Sequence, residues 1–177
     1  MPVSSPPVGA YVPVPSFFTS LSACSASEPV ARIDVETQTK HALFLARAGI
    51  RGLVMMGSTG EAIHLTPCRT QGPRRRRKGG GLEENGFPSY PIMAGVLTNS
   101  VEECLDGLQD MKEAGALWGL VLTPGYFGAN ATHPRMKEWF KIIADRSLLP
   151  IFMLVSRLPS MDEIVLCAKG GMVDDRR

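Results

Sequence analysis

Two hydroxyl side chains between glycines, Ser58 and Thr59 in the segment 57–61, are the residues of this chain best suited to bind a small anion. They follow an apolar run over 50–56 that is typical of a buried parallel strand. Glycines permit a tight turn, the first N–H groups of a following helix are unpaired, and the helix dipole favours a negative ligand. The segment therefore predicts a carboxylate site on the amides and hydroxyls of Ser58 and Thr59.

The same segment supports a second interpretation that needs no ligand. Ser58 and Glu61 have the spacing of a capping box, in which side chains satisfy the N–H groups at the start of a helix. Local chemistry alone favours neither interpretation. A further candidate, Tyr126, lies in the glycine-flanked loop 123–128, a setting in which an aromatic ring is more often packed than catalytic.

Composition and charge restrict the classes of function. The 177 residues are 44% hydrophobic and 20% charged, which fits one soluble domain or part of a larger one. The net charge is +2, and much of the positive excess is the basic run 74–78, so the overall charge indicates no nucleic-acid partner. The four cysteines are scattered, which argues against a zinc site or a disulfide framework.

The expected location is the cytoplasm. No segment is long and apolar enough to span a bilayer, so we expect no membrane partner. The first residues have neither the charged start of a signal peptide nor the arginines of a mitochondrial presequence.

Short apolar strands alternate with amphipathic helices along the chain. The predicted strands are 8–18, the run ending at Met56, 90–94, 118–122 and 150–154. The predicted helices are 34–48 with its cap at Asp34, one opened by a capping box at Ser100 and ended by Gly115, one with an apolar stripe over 136–143, and a short one over 161–168. This alternation predicts an α/β fold with a parallel sheet, either doubly wound or a barrel, with the chemistry in the loops after the strands.

Four segments, at 12–18, 49–61, 94–100 and 122–127, together resemble the dihydrodipicolinate synthase / N-acetylneuraminate lyase family of class I pyruvate-dependent aldolases. The overall character is similar to fungal members, including those similar to 4-hydroxy-2-oxoglutarate aldolase. The resemblance implies a partial (β/α)8 TIM barrel of about the first five βα units, a homo-oligomer, and no metal or organic cofactor.

The resemblance also implies roles for individual residues. Ser58 would be the hydroxyl of a proton relay, Thr59 would bind the carboxylate of pyruvate or a similar 2-oxo acid, and Tyr126 would be the relay tyrosine. In this family a lysine on the sixth strand forms a Schiff base with pyruvate, and the resulting enamine is the carbon nucleophile.

The pattern of the family is interrupted between Thr66 and Leu82. Residues 66–82 form a divergent basic insert, rich in glycine and proline, in a slot where the family has a helix. A local reading-frame excursion would explain a change that preserves length. A basic loop for nucleic acid or nuclear import is the alternative, but the run lacks interleaved aromatic residues.

The family pattern ends near Leu154, which stands where the family has a second relay tyrosine. We expect residues 1–154 to be the N-terminal part of an aldolase-type barrel and 155–177 to be an unrelated tail. The Schiff-base lysine is expected to be absent, because Lys169 follows no matching strand. We therefore expect an open five-stranded sheet with two exposed edges and exposed apolar surface on its second and third strands.

Two hypotheses of function follow. The first is a truncated, divergent pyruvate-dependent aldolase that is inactive as this chain because it lacks the lysine. The alternative is a non-catalytic binding or assembly partner of a full-length paralogue.

Overall fold

A single sheet, in which each strand lies beside its predecessor in the sequence, organises the fold. The structure, a computed structural model, describes residues 5–20, 31–65, 81–124, 132–155, 163–168 and 171–172. The first five strands are parallel, and the last two are antiparallel to their neighbours. In chain order they are β1 (Tyr11–Pro13), β2 (Gly52–Met55), β3 (Ile92–Val96), β4 (Trp118–Leu122), β5 (Ile151–Val155), β6 (Glu163–Ala168) and β7 (Gly171–Met172). The five parallel strands form a curled half-barrel, which confirms the predicted partial TIM barrel.

The described residues include three α-helices, which follow β1, β3 and β4 in the sequence: α1 (Val35–Arg47), α2 (Val101–Glu113) and α3 (His133–Arg146). The cap of α1 is as predicted, because Oδ1 of Asp34 accepts a hydrogen bond from the Thr37 N–H at 3.0 Å. The helix ends before Gly49, whose φ of 87° lies in the left-handed region that favours glycine.

The capping box that was predicted for α2 forms only in part. Ser100 Oγ accepts from the Glu103 N–H at 3.4 Å, as expected of the cap. The Glu103 carboxylate does not return to the cap, because it accepts instead from Thr98 Oγ1 at 2.6 Å. Thr98 Oγ1 also accepts from the Ser100 N–H at 3.1 Å, so one threonine replaces the second half of the box.

The outer face of the sheet packs against α2 and α3. Buried Val121, Ile151 and Met153 meet side chains from the two helices, which are Cys104, Leu108, Phe140 and Ile143. Trp139 lies at the border of this layer, with its ring edge-on to Phe140 at a centroid distance of 5.0 Å. The stripe predicted over 136–143 is therefore the packing face of α3.

The opposite, inner face carries a second apolar cluster. Side chains alternate between faces along a strand, so Met93, Trp118, Leu120 and Phe152 are collected on the concave side. Each of these four is at most 9% exposed. Leu154, in the position of the missing tyrosine, packs against this cluster.

Several predicted element bounds are wrong. The short helix predicted over 161–168 is a strand, β6, which pairs antiparallel to β5 with Leu154 opposite Ile164. The unpaired N–H and C=O groups at a strand edge can form hydrogen bonds with any extended segment beside it. The Ile-Val run of β6 also favours a strand. The sheet consequently has seven strands rather than five.

The bounds of two predicted strands also differ from those in the structure. The predicted first strand, 8–18, shortens to β1 and a single antiparallel bridge between Phe18 and Ile33. The predicted third strand, 90–94, is shifted to 92–96. The prediction for β4 is confirmed at both ends.

The expected exposure of apolar surface on the second and third strands is also wrong. Leu53 of β2 is 0% exposed, and Leu82, in the segment just before β3, packs on the same cluster and is 3% exposed. Residues 81–90 thus cover part of this face, and include a short 3₁₀ turn, Glu83–Asn85. The rest of the insert, 66–80, lies outside the described residues.

Candidate functional site

The turn after β2 lies at the edge of the sheet where the carboxyl ends of all five parallel strands meet. Met56 leaves the strand with a φ of 58°, and the chain closes on itself through the Gly60 N–H, which donates to the Gly57 carbonyl at 3.1 Å. The Glu61 N–H donates to the Ser58 carbonyl, also at 3.1 Å. Ser58 and Thr59 occupy the outermost positions of this turn and are exposed.

The amides of the turn are available to a ligand. Within the described ranges, the N–H groups of Ser58 and Thr59 donate to no protein acceptor, and neither hydroxyl forms a hydrogen bond. Two adjacent N–H groups and two hydroxyls on exposed residues therefore have no protein partner in the described ranges, and such donors suit a carboxylate.

The capping-box interpretation of Ser58 and Glu61 is wrong. Glu61 itself precedes the next helical segment, has a left-handed φ of 54°, and contributes no capping side chain to it. The helical segment that begins there is a 3₁₀ turn, Ala62–His64, within the described residues. The anion-binding character of the turn rests on its exposed donors, since one short turn has little dipole.

Gly95 and Gly60 make the turn possible. A side chain at Gly95 on β3 would collide with the Met56 carbonyl and lie 2.9 Å from the Gly57 nitrogen. A Cβ at Gly60 would lie 2.9 Å from the Met56 nitrogen. Because neither glycine has a side chain, the backbone segments around them can pack closely together. Both residues therefore determine the course of the turn through this packing.

A third contact to the turn comes from the loop after β1. Ser16 donates its hydroxyl proton to the Gly60 carbonyl at 2.6 Å. Sequence reasoning gave Ser16 no role, although it lies inside the resembling segment 12–18. Only the three-dimensional structure shows this bond, because the two residues are 44 positions apart.

The structure does not describe the remaining predicted site residue. Tyr126 lies outside the described residues, as does Lys169. The described lysines, at 40, 112, 137 and 141, are all exposed and all on helices. None of the seven described strands contains a lysine.

The side chains with displaced pKa values lie elsewhere. Burial raises the pKa of the Cys104 thiol on α2 to about 12. Burial also raises the pKa of Tyr11 and of Tyr90, which lie near the amino ends of the strands and donate to the carbonyls of Pro7 and Ile50. The two tyrosines therefore belong to the packing at the end of the sheet opposite the turn, and Cys104 belongs to the layer between the helices and the outer face of the sheet.

The described residues contain neither a candidate metal cluster nor a candidate membrane-spanning helix. No group of three or more His, Cys, Asp or Glu side chains in these ranges could hold a metal ion. Nor does any helix there combine the length and the apolar character that a membrane span requires.

Comparison with known proteins yields relatives of about twice the length. No family model matches the chain. The L-threo-3-deoxy-hexylosonate aldolase of Aspergillus niger is 33% identical over 154 residues, which are 86% of this chain and 43% of that protein. A candidate mitochondrial 4-hydroxy-2-oxoglutarate aldolase of Coccidioides immitis is 35% identical over 147 residues, 82% of this chain and 42% of that protein.

Solved structures show the same relation. A candidate dihydrodipicolinate synthase family protein from Coccidioides immitis superposes with a TM-score of 0.68 at 31% identity, covering 89% of this chain and 46% of that one. A dihydrodipicolinate synthase from Acinetobacter baumannii, solved with pyruvate, gives a TM-score of 0.65 at 22% identity, over 87% of this chain and 47% of that one. The chain thus spans somewhat under half the length of the proteins it matches.

Proposed function

We propose that this chain is a divergent member of the dihydrodipicolinate synthase family, related to the fungal aldolases, and that its turn 57–60 binds the carboxylate of pyruvate or another 2-oxo acid. The observation that carries the proposal is the set of exposed donors without a protein partner at Ser58 and Thr59, at the carboxyl edge of the parallel sheet. A carboxylate accepts hydrogen bonds only, so it complements a surface made of donors.

The roles within the site follow the family. Thr59 binds the carboxylate with its amide and hydroxyl, and Ser58 presents the hydroxyl of a proton relay. Tyr126 is the proposed relay tyrosine. A proton relay of this kind is needed only where a covalent intermediate forms. The proposed roles of Ser58 and Tyr126 therefore require a lysine that reaches the bound 2-oxo acid.

These 177 residues on their own bind the acid without converting it. The described lysines are exposed and lie on helices, and none lies on a described strand, where the family has its Schiff-base lysine. At the end of β5, the apolar Leu154 packs into the inner cluster and cannot transfer a proton.

Borohydride reduction in the presence of pyruvate tests the absence of covalent chemistry. We expect no lysine of this chain to carry a reduced pyruvate adduct in peptide mass spectra. The Aspergillus niger aldolase, treated in parallel, serves as the full-length comparison. An adduct on one specific lysine, abolished by changing that lysine to arginine, would show that the chain is itself an aldolase.

Titration of ¹⁵N-labelled protein with pyruvate tests binding. The amide signals of Ser58 and Thr59 are expected to shift more than those of the chain as a whole. Thr59→Val should weaken the binding of pyruvate. Acetone, which has the ketone without the carboxylate, is the matched control ligand and should leave these signals in place. Equal shifts with acetone would contradict a carboxylate site.

The second candidate function is assembly with a full-length paralogue. It is favoured by the outer side of β1, which pairs with no other strand in the described part of the chain, and by the half-length match to the relatives. Co-expression with such a paralogue is then expected to yield a stable complex, with the paralogue's Schiff-base activity altered. Recovery of the two chains separately from the same cells argues for the first candidate.

We propose the cytoplasm as the location of the chain, against a mitochondrial assignment in the names of two relatives. Fluorescence imaging of the chain with a tag at its C-terminus, beside a mitochondrial marker, distinguishes the two compartments. A signal that coincides with the marker would reject the cytoplasmic location.

A further inference from the structure

The loop after β1 is fixed on both sides of Ser16 by one side chain. The amide nitrogen of Gln38 on α1 donates to the Pro15 carbonyl at 3.1 Å, and its oxygen accepts from the Phe17 N–H at 3.2 Å. The Phe17 carbonyl in turn accepts from the Asp34 N–H at 2.8 Å, at the start of the same helix. The residue between these anchors has little freedom to move relative to α1.

From this anchored position Ser16 contacts the turn after β2. Its hydroxyl donates to the Gly60 carbonyl at 2.6 Å, a short distance for a neutral hydrogen bond. No other side chain of the described residues donates to that carbonyl. The same peptide unit carries the Glu61 N–H, which donates to the Ser58 carbonyl at 3.1 Å, so the peptide that Ser16 holds is bonded directly back to the site residue Ser58.

We propose that Ser16 is a positioning residue for the anion-binding turn, and that the Ser16–Gly60 bond holds the amides of Ser58 and Thr59 in the orientation that a carboxylate requires. The inference rests on the proposed function, because it assigns a cause to the preorganisation of that site. Donors fixed before the ligand arrives bind it more tightly than donors that must be ordered on binding.

The test compares variants of the whole 177-residue chain. Ser16→Ala removes the donor, while Ser16→Thr keeps it. Ser16→Val has the shape of the threonine variant without its hydroxyl, so the pair isolates the hydrogen bond even if the alanine variant folds poorly. Thr19→Ala is the matched control, because Thr19 Oγ1 accepts from the Arg32 N–H at 3.1 Å in the same loop and does not contact the turn.

Two readouts are measured, pyruvate affinity by amide shifts and hydrogen exchange of the Gly60 and Glu61 amides without ligand. Loss of one neutral hydrogen bond is expected to weaken pyruvate binding about threefold to tenfold in the Ala and Val variants. Exchange of the two amides should accelerate by a similar factor of about three to ten. Ser16→Thr and Thr19→Ala should match the wild type in both readouts.

The outcomes separate this inference from the function on which it rests. If the wild type fails to bind pyruvate, the proposed function is rejected, and the exchange rates alone decide whether Ser16 holds the turn. If the wild type binds and Ser16→Val binds as tightly, with unchanged exchange, the positioning role is rejected while the site stands. Equal losses in Thr19→Ala would show a general effect of the loop and would also reject it.

Discussion

The conformation of single residues determines the shape of the candidate site. Met56 and Glu61, which flank the turn, both have left-handed backbones, with φ values of 58° and 54°. Such a conformation costs a residue with a side chain about 1–2 kcal/mol, so it persists only where its surroundings enforce it. At Met56 this conformation is possible because Gly95 has no side chain, which leaves room for the Met56 carbonyl.

Gly95→Ala is therefore expected to displace the turn. The added methyl group would collide with the Met56 carbonyl, and overpacking of this kind destabilises a fold by about 1–3 kcal/mol. Gly57→Ala, in the same turn, has no atom within 4 Å of the added Cβ and should change stability much less. Urea unfolding of the two variants provides the comparison. Equal midpoints for both would contradict the proposed contact.

Cys104 should be chemically silent in the folded chain. It is 0% exposed in the outer layer, and burial raises the pKa of its thiol to about 12, so almost no thiolate exists at neutral pH. Iodoacetamide at pH 8 is expected to leave Cys104 unmodified until the chain is unfolded in urea, as followed by peptide mass spectrometry. Rapid modification of the native chain would show that this layer opens.

At the scale of the elements, helix caps were the most reliable sequence signals. Asp34, Gly49 and Ser100 all act where their types predict, because a cap depends on contacts within three or four residues. The prediction of β6 failed for the complementary reason. Residues 161–168 have little helical character of their own, and pairing with the β5 edge decides their conformation.

The cap of α1 gives a pH dependence with a definite sign. The backbone N–H of Thr37, followed by its hydroxyl, stabilises the Asp34 carboxylate and lowers its pKa in the folded state. The stabilisation is therefore complete above the unfolded pKa of about 3.9 and is lost as the pH falls through the lower, folded value. Asp34→Ala should lower the melting temperature at pH 7, and this difference from wild type should shrink towards pH 3.

Asp34→Asn is the control for that titration, because asparagine caps a helix without a titratable charge. The difference in melting temperature between the Asn and Ala variants should stay constant across the same pH range. A wild-type advantage that is independent of pH would mean that the carboxylate is not the capping group.

The same distinction between near and distant contacts applies to the candidate site. Ser58 and Thr59 could be found from sequence, because glycines and hydroxyls after an apolar strand carry a local signal. The roles of Ser16 and Gly95 could not, since each depends on a neighbour far along the chain. The identity of α2 and α3 as the cover of the sheet followed from their apolar stripes, whereas the cover supplied by Leu82 depended on tertiary packing alone.

At the scale of the whole molecule, the open side of β1 is the feature with the widest effect. In the described part of the chain, β1 pairs only with β2. A strand with an unpaired edge can form hydrogen bonds with a strand of another chain. β7, at the other end of the sheet, is only two residues long and offers a smaller edge. Self-association is therefore expected to begin at β1.

Val12→Lys should reduce that association, because a charge on an edge strand opposes edge-to-edge pairing. Val8→Lys is the matched control, since Val8 precedes the strand and is fully exposed, so it adds the same charge outside β1. Sedimentation velocity over a range of concentrations is expected to show a larger monomer fraction for Val12→Lys alone, provided its circular dichroism matches wild type. An identical response of both variants would place the association elsewhere.

The two tryptophans of the chain lie on opposite faces of the sheet, and this separates two spectroscopic signals. Trp118 is buried in the concave cluster, while Trp139 lies among the helices on the convex side. In a Trp139→Phe background, the emission of Trp118 would report only on the lining of the half-barrel. In a Trp118→Phe background, Trp139 would report only on the docking of α3. Anything that fills the concave side, whether a small acid or a complementary polypeptide, would thus shift one fluorescence signal and leave the other unchanged.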